Sequence, residues 1–186
     1  MGNVVILKWN PSFSSYEMFS YLMDLRQANL SNGLDVDFDW SVFEHDKIHD
    51  GDRVFWVKLG YGQSGIVASG YVVGEPYKGE DWSGKGRETY YVNFEPDVML
   101  NPDTLPILTT QTLSEKIPDF EWERGHSGMV LSPEQARKLE KLWEEFLHGN
   151  EETFQHAIVQ QHDDQIYIAD DYDEDLSLPP DDETLS

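Results

Sequence analysis

The sequence predicts an α+β domain in which a small β-barrel is flanked by helices. Three observations point there. Gly51–Tyr77 (GDRVFWVKLGYGQSGIVASGYVVGEPY) carries two β-rich runs, Val54–Leu59 and Ile66–Val73, joined by the glycine-bearing break Gly60–Gly65, and reads as an antiparallel hairpin. Its apolarity is continuous, as expected of strands covered on both faces at the centre of a small barrel. Helical patterns on either side of it supply the cover.

In chain order, Asn3–Trp9 (NVVILKW) reads as a buried first strand. Asn10-Pro11 stops it, since proline cannot donate to a ladder and restricts the residue before it. Ser14 or Ser15 is expected to cap a helix in which Tyr16, Phe19 and Met23, and Met18, Leu22 and Leu25, recur at three- and four-residue spacing. Asn29–Gly33 ends it. Asp35–Trp40 alternates acidic and apolar residues, the pattern of a half-exposed strand or extended loop. Its D-x-D-x-D spacing is not a calcium loop, because Trp40 stands where glycine is needed and Asp46 where a bidentate Glu is needed. His45 and His49 lack a third ligand in register and read as solvated surface.

The hairpin follows and is expected to close at Gly74-Glu75-Pro76. Lys78–Glu88 is a loop by its glycines, and Thr89–Phe94 (TYYVNF) is a further strand. Thr112–Ile117 reads as a short helix and Phe120–Leu131 as a loop leading into a strand. Ser132-Pro133-Glu134-Gln135 opens the last helix, with Ser as N-cap, Pro at the first helical position and Gln in the first turn. Ala136, Leu139, Leu142, Trp143 and Phe146 stripe one face, and Gly149 ends it. Gln165–Ile168 adds one short strand or binds in a groove.

The 186 residues suit one domain with an appendage, and 39% hydrophobic content is enough for a core. No segment approaches the ~18 apolar residues of a membrane span. Met1-Gly2-Asn3-Val4 lacks the basic region of a secretory signal, so a cytoplasmic protein is expected. Cysteine is absent from the sequence, which excludes disulfides, thiolate metal sites and a cysteine nucleophile. The formal charge is −23; residues 151–186 hold twelve of the 36 acids and no Lys or Arg, leaving 24 acids against 13 basic residues in 1–150, or −11. Residues 1–150 are therefore read as the folded domain and 151–186 as an acidic, flexible tail. A field of this sign repels phosphate backbones unless basic residues gather locally.

No phosphate loop, nucleophile elbow, dinucleotide fingerprint or zinc-deaminase signature is present, so no catalytic residue, metal or cofactor is expected. Trp9, Trp40, Trp82 and Trp122 fall at segment ends or in loops, whereas Trp56 and Trp143 sit within regular elements and are assigned to the core. A tryptophan at a strand end often just caps the core. Several at loop positions around a barrel can instead form a cage for a planar ring, with Asn and Ser offering edge hydrogen bonds. Lys78, Lys85 and Arg87 surround Trp82, the interleaving that a stacked, phosphate-bearing ligand requires.

The order strand–WNP–helix, GDRVFWVKLG…GIVASGYVVGEPY, a Trp-bearing loop, YYVNFE and IPDFEWERGHSGMVLSPEQARKLEKLW resembles the EVE domain of the PUA-like superfamily over residues 3–147. It is similar to the EVE-type modules attached to HNH restriction endonucleases, in which a W-x-x-x-x-SG-x-x-L segment also precedes the final helix. The resemblance implies a strongly bent small β-barrel with flanking helices, and recognition of a flipped, modified base. In the related YTH domains a methylated adenine lies between tryptophans at positions that match Trp40 and Trp82; Trp9-Asn10 matches the mouth of the first strand. No nuclease motif accompanies these residues, so the resemblance implies a reader and not a cutter.

The expected function is non-enzymatic recognition of a modified nucleobase, foremost a modified cytosine in DNA, or of a free nucleotide. Trp9, Trp40 and Trp82 would form the cage, Asn10 and Ser41 would bond the base edge, and Lys85, Arg87 and Arg124 would meet phosphate. The alternatives are a protein–protein adaptor or DNA mimic using the acidic tail, and an enzyme of the same fold acting on a nucleotide.

Overall fold

The structure is a computed structural model and describes residues 2–31, 36–81, 83–154 and 167–169. Its frame is a mixed sheet of β1 (Val4–Trp9), β2 (Phe38–Val42), β3 (Arg53–Lys58), β4 (Gly65–Glu80), β5 (Glu88–Leu100), β6 (Leu108–Thr109), β7 (Met129–Val130) and β8 (Tyr167–Ala169). The strands run in the order β2-β5-β4-β3-β1-β7, with β6 added to β4 and β8 to β5. Helices α1 (Met18–Leu30), α2 (Thr110–Lys116), α3 (Pro133–Gly149) and α4 (Glu151–Phe154) flank it.

The continuous apolarity of the central strands has a direct cause. β1 lies parallel to β3, with Val5 opposite Val54 and Leu7 opposite Trp56, and every residue of β1 is buried. β3 and β4 form the expected antiparallel hairpin, bulged between Trp56 and Val57. The second strand does not close at Gly74-Glu75-Pro76, however. Gly74 adopts a φ of +79°, the register against β5 shifts between Val73 and Tyr77, and pairing resumes from Tyr77–Tyr91 to Glu80–Glu88. A bulge accepts the glycine and proline that a regular ladder would reject. The connection therefore shrinks to residues 81–87, and β5 extends well beyond TYYVNF.

The start of α1 also differs from expectation. Glu17, not Ser14 or Ser15, is its N-cap. Ser14 is engaged earlier, its Oγ accepting from the Tyr16 amide (3.0 Å), and Trp9 Nε1 donates to the Tyr16 carbonyl (2.7 Å). Those local bonds hold 10–16 as a turn and leave the Tyr16 ring free to join the tryptophans. Tyr21, Leu25 and Ala28 face the core, and the Tyr21 hydroxyl donates to the Leu100 carbonyl (2.7 Å). α3 starts as expected, with a reciprocal Ser132–Gln135 capping box. Core packing continues past residue 150, since Phe154 is buried against Phe146. In the acidic region, Tyr167–Ala169 pairs in parallel with Val98–Leu100, so a short strand does form there; Gln165 and Ile166 lie outside the described residues.

The sheet curls until its two ends meet. Phe43 N donates to Ser127 O (2.8 Å), Glu44 N to Gly128 O (2.9 Å), and Val130 N to Glu44 Oε1 (2.8 Å). Gly128 makes this approach possible: its φ is +83°, and a Cβ built there would lie 2.3 Å from Val42 Cα. Ser127 adds a tie to the neighbouring strand, its Oγ accepting from Lys8 N (3.0 Å). The S-G of the W-E-R-G-H-S-G segment is thus the seam of a strongly curled half-barrel. The bent barrel with flanking helices is the observed architecture.

Candidate functional site

Inside the half-barrel, Trp56 is fully buried and collects Phe38, Trp40, Trp9 and Phe94 around it at ring separations of 4.9–5.5 Å. This aromatic cluster borders a cleft of about 800 Å³ lined by residues of the 10–16 turn, β2, β5, the residues just before β5 and 125–127. Trp9 forms part of its floor and is 1% exposed. Trp40 is half-buried, set edge-on to Trp9 (6.4 Å, 84°) and Tyr16 (5.8 Å, 77°), and its Nε1 donates to the Lys8 carbonyl (3.0 Å). That bond and those contacts fix the orientation of the ring.

Polar groups border the rings. Asn10 Oδ1 accepts from Ser12 N (3.0 Å), while its Nδ2 has no partner among the described residues. Ser41 lies opposite Tyr91 in the β2–β5 ladder, and its hydroxyl likewise has none. At the rim, Phe43 and the exposed His126 stack almost parallel (3.9 Å, 4°), a pair created by the closing seam. Tyr16 donates to Asp24, and burial with this carboxylate pushes its hydroxyl far above the ordinary phenol range.

Basic side chains contribute little free charge to the cleft. Lys8 Nζ donates to the carbonyls of Glu121 (2.6 Å) and Arg124, and burial lowers its pKa despite nearby Glu121. Arg87 Nε faces Asp81 Oδ2 at 3.6 Å. Carboxylates on the lining are Asp39, Asp81 and Glu88. Among the described residues no group of three or more His, Asp or Glu side chains is placed to hold a metal. No described helix is long and apolar enough to cross a membrane.

No protein-family model matches the chain, and no curated protein matches it by sequence. Human THYN1, solved in complex with DNA containing 5-methylcytosine, is similar in structure, with a TM-score of 0.54 and 13% identity over 76% of this chain and 97% of that one. A hypothetical protein from Leishmania major gives 0.51 and 14% over 78% and 97%. This chain has a PUA-like fold. The YTH domain of mmi1, solved with RNA, is also similar, at a TM-score of 0.46 and 10% identity over 80% and 85%.

Within this half-barrel, the cleft gathers Trp9, Asn10, Trp40, Ser41 and Arg87, five of the residues singled out in the sequence. Trp9, expected as a third wall or floor, is almost completely buried, with its ring packed against Tyr16 and its N–H already bonded. Lys85 sits on the 83–86 turn and Arg124 beyond Gly125; both are exposed and neither lines the cleft. Trp82 lies outside the described residues. Trp122 is buried and donates to the Ile117 carbonyl (3.0 Å), a core role. Sequence reading missed Phe13, Tyr16, Phe43, Tyr91 and His126. Tyr16 was hidden because it continues the helical spacing of α1, and Phe43 because its partner His126 is distant in sequence.

Proposed function

We propose that this chain binds a modified nucleobase in the cleft, without catalysing a reaction, and that a modified cytosine in DNA is its foremost ligand. One observation carries the reading: an indole fixed edge-on to a buried tryptophan, open to a cleft of about 800 Å³ that is large enough to admit a nucleotide, beside two unspent hydrogen-bonding groups. The shared fold with THYN1, whose structure holds 5-methylcytosine DNA, supports it. Trp40 and Trp82 act as cage walls, Trp9 as floor, and Asn10 and Ser41 bond the base edge. Lys85, Arg87 and Arg124 meet phosphate from the rim. Base–aromatic stacking contributes roughly 1–3 kcal/mol per base, comparable with the few kcal/mol that flipping costs, so stacking and edge contacts must cooperate.

The test is tryptophan fluorescence of the full chain. It is titrated with free nucleotides and with short oligonucleotides bearing unmodified, 5-methyl- or 5-hydroxymethylcytosine, or N6-methyladenine. A saturable change with one modification, weakened at least tenfold by Trp40→Phe together with Ser41→Ala, is the expected result. Equal affinity for modified and unmodified bases would overturn the reading.

A further inference from the structure

We propose that the modified base recognised here carries a positive charge, as a ring-nitrogen-alkylated pyrimidine or purine does, so that among modified cytosines one alkylated at a ring nitrogen is preferred to the neutral 5-methyl form; this rests on the base-binding reading above. The observation is the charge of the lining. All 13 Lys and Arg residues fall within the described segments, so no basic side chain is missing from the inventory. Two of them line the cleft, and neither offers a free cation: Lys8 is held by the Glu121 and Arg124 carbonyls, and Arg87 faces Asp81.

The carboxylates are less well matched. Glu88 has an exposed partner in Lys78 at 3.6 Å, and Asp81 has Arg87. Asp39 is met by the Asn93 amide (3.0 Å) and the Tyr77 hydroxyl, both neutral. No Lys or Arg pairs with it among the described residues, and it lines the same cleft as Trp40, Tyr16 and Phe43, whose ring faces are themselves the negative part of an aromatic quadrupole. The formal charge of −23 adds a long-range field of the same sign.

A neutral base gains stacking in such a cleft and nothing electrostatic. A cationic ring gains the same stacking, a cation–π term and attraction to Asp39. Unmodified bases are neutral at physiological pH, so charge alone would separate the alkylated ring from the excess of ordinary ones.

The experiment titrates the full chain at about pH 6, where 7-methylguanosine and 1-methyladenosine are cationic, against guanosine, adenosine and 5-methylcytidine, which are not. Tetramethylammonium serves as a charge without a base. Binding of the cationic nucleosides about tenfold tighter than their parents is expected. That margin should narrow in about 1 M salt and in Asp39→Asn, and widen in Arg87→Gln, which leaves Asp81 unpaired. These opposed shifts distinguish a charge effect from loss of folding. Tighter binding of 5-methylcytidine than of either cation would overturn the charge proposal and leave the base reading intact. Tetramethylammonium binding as strongly as the nucleosides would overturn the base reading, and silence from every probe would overturn both.

Discussion

Replacing Gly128 by alanine tests whether the seam of the half-barrel is what that residue provides. The added Cβ would lie 2.3 Å from Val42 Cα, 2.4 Å from Val42 Cβ and 2.7 Å from its Cγ1, with backbone on one side and a buried side chain on the other. Neither can swing away, so β2 and the 127–130 segment must part. Parting strains the Phe43–Ser127 and Glu44–Gly128 bonds, each worth roughly 0.5–1.5 kcal/mol. The left-handed backbone adds about 1 kcal/mol for any residue with a Cβ. The total is about 2–4 kcal/mol, or roughly 4–16 °C in Tm for a domain of this length. Gly74→Ala is the control, because its φ is +79° but its Cβ would meet nothing within 4 Å. It should cost only the backbone part, about 1 kcal/mol. Urea unfolding of the two variants measures the difference. If Gly128→Ala is no more than about 0.5 kcal/mol worse than Gly74→Ala, the close approach is not what the seam depends on.

Further predictions bear on other layers of the molecule. Arg53 bonds Asp97 (3.0 Å) and Glu140 (3.2 Å) and lies between the rings of Phe55 and Tyr71, so Arg53→Met should lower stability by about 2–4 kcal/mol in urea unfolding. Arg53→Lys should recover less than half of this, since a point charge cannot make the forked contacts. Burial, aided by a hydrogen bond to Asp39 and its charge, pushes the Tyr77 hydroxyl up to about 12. A phenol whose folded pKa is raised contributes stability that is complete below pH ~10 and is lost as pH climbs toward 12. Asp39→Asn should bring the Tyr77 phenolate absorbance step part-way back toward 10, with Tyr77→Phe identifying the step. Chains ending at 150 and at 154 should differ by about 3 kcal/mol in favour of the longer, because Phe154 is 3% exposed in the core.

The tail provides a useful contrast between the two levels of reading. Its composition, twelve acids and no Lys or Arg, marks residues 151–186 as distinct. Composition does not register that Phe154 packs on Phe146 or that Tyr167–Ala169 finds the edge of β5, because both depend on partners far away in the chain.

What the sequence determined by itself was mainly local or periodic. The α3 capping box follows from four consecutive residues, the central hairpin from β-rich runs broken by glycine, and the buried β1 from an unbroken apolar stretch. That Trp9, Asn10, Trp40 and Ser41 gather at one cleft was legible because strand ends at a barrel mouth lie close together. Tertiary structure decided the rest. Gly74 could be read as a stop or as a bulge, and only the continuing β5 ladder made it a bulge. Phe43 and His126 are 83 positions apart, and only the seam at Gly128 stacks them. Lys8, Arg87 and Arg124 count equally as charges in the sequence. In the fold one is held by carbonyls, one faces a carboxylate, and one adjoins the cleft without lining it, because the free energy of a charge depends on what lies within a few ångströms of it.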